Sequence, residues 1–560
     1  MKIFLAQQNY HIGNFEANTA KIIAAIREAK KQGGELIVFS ELAVCGYPPR
    51  DFLEFSDFLE RCYAAIRQIA QEADTIAVLV GAPSPNERVE GKDLFNSAYF
   101  LYEQEVKQIV HKTLLPNYDV FDEYRYFEPA FDWNVISFKG KRLAVTVCED
   151  IWDVGANAMY RLQPMDMLIG QQPDIMINLS ASPFDYIHAE ARLSVIRENV
   201  SRYGLPMIYC NTVGSQTEIV FDGGSLVMDA SGNLVREMAF FEEELAAVHW
   251  DGAGAFSEKG RPVSSPDHAH QQLPAQYQPE LHIGRIHDAL VMGIRQYFEK
   301  MGFRQAIVAS SGGIDSAVTL ALSCSALGKE NVHALLMPSQ FSTGHSVADA
   351  ELLSRNLDNR YDILPIKDIF DQVDATLKPV FGGLPFNIAE ENIQSRIRGL
   401  LAMALSNKFG YILLNTSNKS ELATGYGTLY GDMAGGLGVL GDVYKMQVYA
   451  LARYINREKE IIPLSIIEKA PSAELRPGQK DSDSLPEYGV LDAILYQYIE
   501  RRQGPKEIVG MGYNPALTDR VLQMVNRNEY KRNQFCPVIR VSSKSFGIGR
   551  RVPIVARYLS

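Results

Sequence analysis

Residues 309–317 read Ala-Ser-Ser-Gly-Gly-Ile-Asp-Ser-Ala and follow directly on an apolar run at 305–309. A strand, a tight Ser/Gly turn and an apolar helix bring backbone N–H groups and a helix N-terminus to one point, which suits a polyphosphate. Gly312 and Gly313 let the main chain approach a pyrophosphate closely, and Ser310, Ser311 and Ser316 supply hydroxyl donors. Asp315 would repel phosphate on its own, so its presence is explained if it holds Mg²⁺. Taken singly, Asp315 is an ordinary helix-start acid; the whole string beside a strand points further. No Gly-Lys-Ser/Thr follows, so a Walker-type cradle is not expected.

A second set lies far upstream. Glu41 follows the run Leu-Ile-Val-Phe-Ser, Lys112 follows Gln-Ile-Val-His, and Cys148 follows Leu-Ala-Val-Thr-Val. A strand end delivers a side chain to the rim of a sheet with fixed geometry. Amide hydrolysis through a thioester needs these three types: a sulfur nucleophile, a carboxylate to shuttle protons and a cation beside the tetrahedral oxyanion. Each also has a plainer role, Cys148 as a buried apolar thiol and Glu41 and Lys112 as loop charges. Cys45, close to Glu41, is expected to be structural.

The elements that must position these residues fall into two groups. Strands are predicted at 2–6, 36–39, 76–80, 97–102, 106–110, 143–147, 175–178, 207–210 and 225–228, with helices at 15–31, 55–72 and 189–202. That pattern implies an αββα sandwich, sheet on sheet with helices outside. Residues 252–281 are rich in Gly, Pro, Ser, Gln and His, which reads as a linker. The domain expectation is therefore 1–255, a linker at 256–281, and 282–560. Beyond it, helices near 285–300, 315–327, 346–357, 389–408 and 444–457 alternate with strands at 305–309, 332–336, 361–366 and 411–415, the signature of a doubly wound parallel sheet.

The 560 residues carry a net charge of −12, which argues against an electrostatic nucleic-acid binder. No apolar run is long enough for a membrane span, and the first residues turn polar too quickly for a signal peptide. Six cysteines without a CxxC pair read as reduced thiols, so a cytoplasmic protein is expected.

The motif Ser-Gly-Gly-Ile-Asp-Ser resembles the pyrophosphatase loop of the N-type ATP pyrophosphatases. The resemblance implies cleavage of ATP between the α and β phosphates, with residues 309–316 (Ala309 and Ile314 included) around the nucleotide. "EENIQSRIRG" at 390–399 and "LLNTSNKSELATGYGTLYGD" at 413–432 resemble the NAD synthetases among them. By that likeness Thr416 and Lys445 bind ATP, Asp315 and Glu421 hold Mg²⁺, and Asn392, Arg396, Glu421 and Lys531 line the deamido-NAD site. Lys544, Arg550 and Arg551 in the tail are placed within reach of phosphates. "FSELAVCGYPPRD", "HKTLLPNYDVFDEYRYFEP" and "VTVCEDIW" resemble nitrilase-superfamily motifs in the family's chain order. The likeness makes Cys148 the nucleophile, Glu41 the general base and Lys112 the oxyanion stabiliser. It also places glutamine against Tyr118, Ser182 and His188. At 188 the family pattern has Lys or Arg, so either Arg192 supplies the missing charge or glutamine binding is unusual.

Together the halves resemble the glutamine-dependent NAD synthetase family. The implied activity is amidation of deamido-NAD by ammonia from glutamine, through an adenylate, in a homo-oligomer acting on small molecules. A GMP synthetase-like amidotransferase, or an ammonia-dependent NAD synthetase with an idle first domain, are the alternatives.

Overall fold

Strand β1 (Lys2–Gln7) buries Ile3 and Leu5 toward one face, and the same alternation recurs along the first 250 residues. In the computed structural model the described residues are 1–88, 90–154, 159–257 and 273–559. They fall into two compact units, Met1–Gln272 and Leu273–Ser560. Most of the linker expected at 256–281 lies outside the described residues. Pro274 and Ala275, also in that stretch, accept hydrogen bonds from Tyr496, Gln497 and Arg501 of the second unit.

In the first unit, β2 (Leu36–Val38), β3 (Ala77–Pro85), β4 (Leu94–Tyr102) and β5 (Glu105–His111) continue from β1. The second sheet holds β6 (Ile136–Phe138), β7 (Lys141–Val147), β8 (Ile175–Ser180) and β9 (Met207–Asn211). A hairpin, β10 (Val213–Gln216) and β11 (Ile219–Asp222), stands apart from both. The chain then returns to the second sheet with β12 (Leu226–Met228) and β13 (Leu234–Glu237) and ends with β14 (Glu244–His249) against β1. The two six-stranded orders are β14-β1-β2-β3-β4-β5 and β13-β12-β9-β8-β7-β6.

Period-two side chains sort these layers. From β8, Ile175, Ile177 and Leu179 enter the core between the sheets with Ile3, Leu5, Val38 and Leu79. Met176, between them, faces the other way and packs with Val195, Ile196 and Val200. Helices α1 (Phe15–Lys31) and α2 (Ser56–Ala70) accompany the first sheet; α3 (Pro164–Leu168) and α4 (His188–Tyr203) cover the second. In α1, Ile22, Ile26 and Ala29 form the buried stripe, Asn14 caps the start and Lys30 and Lys31 sit at the negative end. The αββα sandwich is thus built from four layers.

The second unit starts with α5 (Ile283–Met301), and β15 (Ala306–Ala309) leads into α6 (Ile314–Leu327). There follow β16 (Val332–Leu336), α7 (Gly344–Leu357), β17 (Arg360–Ile363), α8 (Lys367–Phe381), α9 (Ile388–Phe409), β18 (Ile412–Asn415), α10 (Lys419–Thr424), β19 (Leu437–Gly438) and α11 (Lys445–Ile455). All five strands are parallel, in the order β17-β16-β15-β18-β19. The chain moves outward from β15 in one direction and then resumes on its other side at β18. That is a topological switch point, where a crevice opens beyond the strand ends. Among the described residues no helix is long and apolar enough to cross a membrane.

Arg192 and Asp222 form an ion pair of 2.6 Å inside the first unit, each 1% exposed. Removing one partner leaves an uncompensated buried charge, so Asp222→Ala should cost about 3–5 kcal/mol of stability. All three tryptophans (133, 152 and 250) lie in this unit, so their fluorescence in a urea titration reads it out. A midpoint unchanged from the parent protein would contradict the assignment.

Candidate active sites

In the first unit Lys112 ends β5 and is held by its own N–H on the Asn96 carbonyl, 2.8 Å away. Its Nζ donates to Glu41 Oε1 at 2.7 Å and Glu123 Oε1 at 2.8 Å, with no exposed side-chain surface. Asn96 Nδ2 donates to Glu41 Oε1 at 2.7 Å, and the Ala181 N–H donates to Glu41 Oε2 at 2.9 Å. Tyr47 Oη donates to Glu123 at 2.9 Å. Nothing local in the sequence marks Glu123, which stands among many charged and aromatic residues.

Cys148 ends β7 at φ +43°, a left-handed conformation that costs a non-glycine residue on the order of 1–3 kcal/mol. Asp150 pins that turn by accepting from Val147 N at 3.0 Å, Thr113 N at 2.9 Å and Leu114 N at 2.8 Å. One buried carboxylate therefore ties the cysteine turn to the residues just after Lys112. Burial, then the negative charge of Glu41, hold the Cys148 thiol well above the ordinary cysteine range, and Lys112 only partly offsets them. Burial works against the Lys112 cation, but Glu123 and Glu41 outweigh it and keep the lysine charged. Glu123 is raised to about 7, chiefly by burial. At rest the buried thiol is neutral.

Next to Cys148, Glu149 accepts from Tyr118 Oη at 2.9 Å and Tyr160 Oη at 3.2 Å. Burial lifts its carboxyl to about 7. Ser182 Oγ and His188 Nε2 are 2.7 Å apart, and His188 stacks on Trp152 at 4.7 Å. Arg192 does not supply the charge missing at 188: it is committed to Asp222 and to the Gly223 carbonyl in the core. Glu149 carries no local sequence signal, because its partners Tyr118 and Tyr160 come from separate segments.

The second unit carries a cavity of about 600 Å³ at the switch point. Its lining includes Ala309, Ser310, Ser311, Gly313, Ile314, Asp315, Ser316, Asn392, Arg396, Thr416, Glu421, Lys445 and Lys531. Gly312 lies behind this lining at φ +77°, where a Cβ would come within 2.2 Å of the Ser346 carbonyl. Ser310 Oγ is buried and has no hydrogen-bond partner among the described residues, an orphaned donor facing the cavity. Lys445 Nζ donates to Asp315 Oδ2 at 2.5 Å and stands 3.7 Å from Glu421 Oε1. Asp315 Oδ1 accepts from Asn418 Nδ2 at 2.8 Å. Glu421 Oε2 closes a capping box with the Asn418 N–H at 3.2 Å, so it is both a helix-start acid and a cavity wall. Burial and the nearby Asp315 charge push Glu421 up to about 8.

Asn392 accepts from Thr428 Oγ1 at 2.8 Å, Arg396 Nε donates to the Leu429 carbonyl at 3.2 Å, and Lys531 Nζ donates to the Gly425 and Gly427 carbonyls at 2.8 and 2.9 Å. The tail cations are placed differently: Arg550 pairs with Glu529 at 2.8 Å, and Lys544, Arg550 and Arg551 are absent from the cavity lining. Unforeseen wall residues include Arg398, Asp432, Lys469 and Glu474.

Two family models match the chain: carbon-nitrogen hydrolase over residues 2–255 and NAD synthase over 286–535. The glutamine-dependent NAD(+) synthetase of Synechocystis sp. is 42% identical, covering 99% of both chains. The chain belongs to the glutamine-dependent NAD(+) synthetase family. The Thermotoga maritima member is 40% identical across 100% of this chain and 99% of its own. The Acinetobacter baumannii member, solved in complex with adenosine diphosphate, is 37% identical with a TM-score of 0.75, covering 99% of this chain and 98% of that one.

The raised thiol generates a test. Iodoacetamide labelling of Cys148, followed by peptide mass mapping, should be slow at pH 7 and rise at a higher pH than for an ordinary exposed thiol. Glu41→Gln removes a negative neighbour and should shift that rise to lower pH. Complete labelling of the parent protein at pH 6 would show a resting thiolate and contradict the electrostatic account.

Proposed function

We propose that the chain makes NAD from deamido-NAD, ATP and glutamine, with one half-reaction in each unit. The observation that carries the reading is a Cys148–Glu41–Lys112–Glu123 cluster and a nucleotide-loop cavity in one chain of this family. Cys148 Sγ attacks the glutamine carboxamide while Glu41 takes the thiol proton. Lys112 faces the charge that develops on the carbonyl oxygen. The same proton passes to the departing nitrogen, ammonia leaves, and water cleaves the glutamyl thioester with Glu41 again as base. Tyr118 and the Glu149 carboxylate offer acceptors to the glutamine ammonium, and Ser182 and His188 meet its carboxylate. The imidazole at 188 makes that last contact dependent on pH in a way a lysine would not.

In the second unit the Ser310–Ser316 loop and Lys445 hold the β and γ phosphates, Thr416 contacts ATP, and Asn392, Arg396 and Lys531 position deamido-NAD. The nicotinate carboxylate attacks the α-phosphorus, pyrophosphate departs, and ammonia then displaces AMP from the acyl adenylate. Asp315 and Glu421 would hold Mg²⁺: two carboxylates share one lysine there, and no third acidic, His or Cys ligand joins them among the described residues. A site so sparse suits an ion that completes its shell with phosphate oxygens and water. When bound, the metal supplies neutralisation of phosphate charge.

Cys148→Ala tests the division of labour. NAD formation with glutamine should fall by about 10³-fold or more, because no neighbouring group replaces the sulfur. Formation with ammonium at raised pH should continue, since the second unit has its own core and site. Near-normal NAD synthesis from glutamine would contradict the nucleophile assignment.

A further inference from the structure

The cavity-facing side of α9 presents Glu391, Asn392, Ser395, Arg398, Gly399 and Ala402, a helical stripe at spacings of three and four. Of the two arginines on this stretch, Arg396 is exposed and leans on the 429 carbonyl. Arg398, less exposed, lines the same cavity. Its Nε donates to the Met337 carbonyl at 2.9 Å, and among the described residues its guanidinium makes no ion pair and no other hydrogen bond. Burial lowers its pKa to about 10, with Asp432 and Glu474 giving only distant compensation. Asp432 is itself engaged by the Thr428 N–H at 2.6 Å, and its pKa, raised chiefly by burial, is moderated by Lys531 and Arg398 together. Glu474 is held by Lys469 at 2.8 Å and Ser346 at 2.7 Å. Two of the strongest donors on Arg398 are left for a ligand, and a guanidinium kept in this state favours an anionic, fork-shaped acceptor.

The position selects which anion. Leu335, Leu336, Leu413 and Leu414 of β16 and β18 give the cavity an apolar stretch suited to a base. The Ser310–Ser316 loop and Lys445 supply the phosphate-binding groups of the same cavity. β15 and β16 are adjacent, and the Ser310 N–H donates to the Leu335 carbonyl at 2.9 Å. Arg398, tethered to Met337 just past β16, lines the same cavity, and with the loop and Lys445 taken by the β and γ phosphates the α-phosphate is the anion left for its free donors.

We propose that Arg398 grips the α-phosphoryl group of ATP while the substrate carboxylate attacks it. A carboxylate oxygen bonds to the α-phosphorus, the bond to the α–β bridging oxygen breaks, and its electron pair leaves with pyrophosphate. The two non-bridging α oxygens face the free Nη donors throughout. This rests on the adenylation reading above.

The test compares parent protein, Arg398→Met and Arg398→Lys with ammonium as nitrogen donor, so that the first unit takes no part. NAD formation is measured together with deamido-NAD-dependent exchange of labelled pyrophosphate into ATP. Arg398→Met should lower kcat by about 10²–10³-fold with the KM for ATP within about threefold, and exchange should fall in parallel. Arg398→Lys should regain about tenfold, a point charge without the fork. A kcat within about threefold of the parent in Arg398→Met, or a loss confined to the KM for deamido-NAD, would overturn the α-phosphate assignment. So would a lowered unfolding temperature with Arg398→Lys no more active than Arg398→Met, the mark of a structural role. A parent protein that makes no NAD would instead overturn the adenylation reading itself.

Discussion

Everything in the first unit turns on one buried cation. Lys112 has no exposed side-chain surface and is shared by Glu41 and Glu123 at hydrogen-bonding distance. Taking a lysine out of water is costly unless its charge is met, and two carboxylates more than meet it. Burial first, and then the negative charge of Glu41, keep the nearby Cys148 protonated. Neither carboxylate is adjacent in sequence to the lysine, so the cluster forms only when β2, β5 and the loop at 123 come together. Asp150 then couples the cysteine turn to the same assembly through three backbone donors.

The second unit repeats the device with a different outcome. Lys445 also stands between two carboxylates, Asp315 and Glu421, but these open onto a cavity instead of a closed core. There, on the proposed reading, the unbalanced negative charge would receive a metal ion. In the first unit the same imbalance has no such outlet and, on the proposed reading, would tune a proton transfer. Position in the fold decides between the two uses: a sandwich rim in one case, a switch point in a parallel sheet in the other.

How much of this was legible in the sequence depends on the range of the contacts. The Gly312–Ser316 loop was readable because its chemistry is local: a strand, a turn at positive φ and a helix start within a dozen residues. Glu41, Lys112 and Cys148 were readable because each ends an apolar run. Glu123, Glu149 and Asp150 were not, since nothing beside them in sequence distinguishes a buried carboxylate from a solvated one. Short strands such as Leu234–Glu237 and Glu244–His249 went unread for a related reason; they gain their stability from pairing with β12 and β1. Helix α8 was missed across residues 367–381, where an acidic, largely exposed surface and Pro379 blur the helical signal. Between Arg192 as a substitute for the absent charge at 188 and unusual glutamine binding the sequence does not decide, because a lone arginine on a helix gives no sign that Asp222 pairs with it in the core.

The central claim is that the amide nitrogen of glutamine becomes the carboxamide nitrogen of NAD in this one chain. Supplying glutamine labelled with ¹⁵N at the amide, as the sole nitrogen source alongside ATP and deamido-NAD, tests it directly by mass spectrometry of the product. The account predicts NAD carrying one heavy nitrogen, formed in step with AMP and glutamate. NAD without the label, or glutamate released while deamido-NAD stays unconverted, would contradict it.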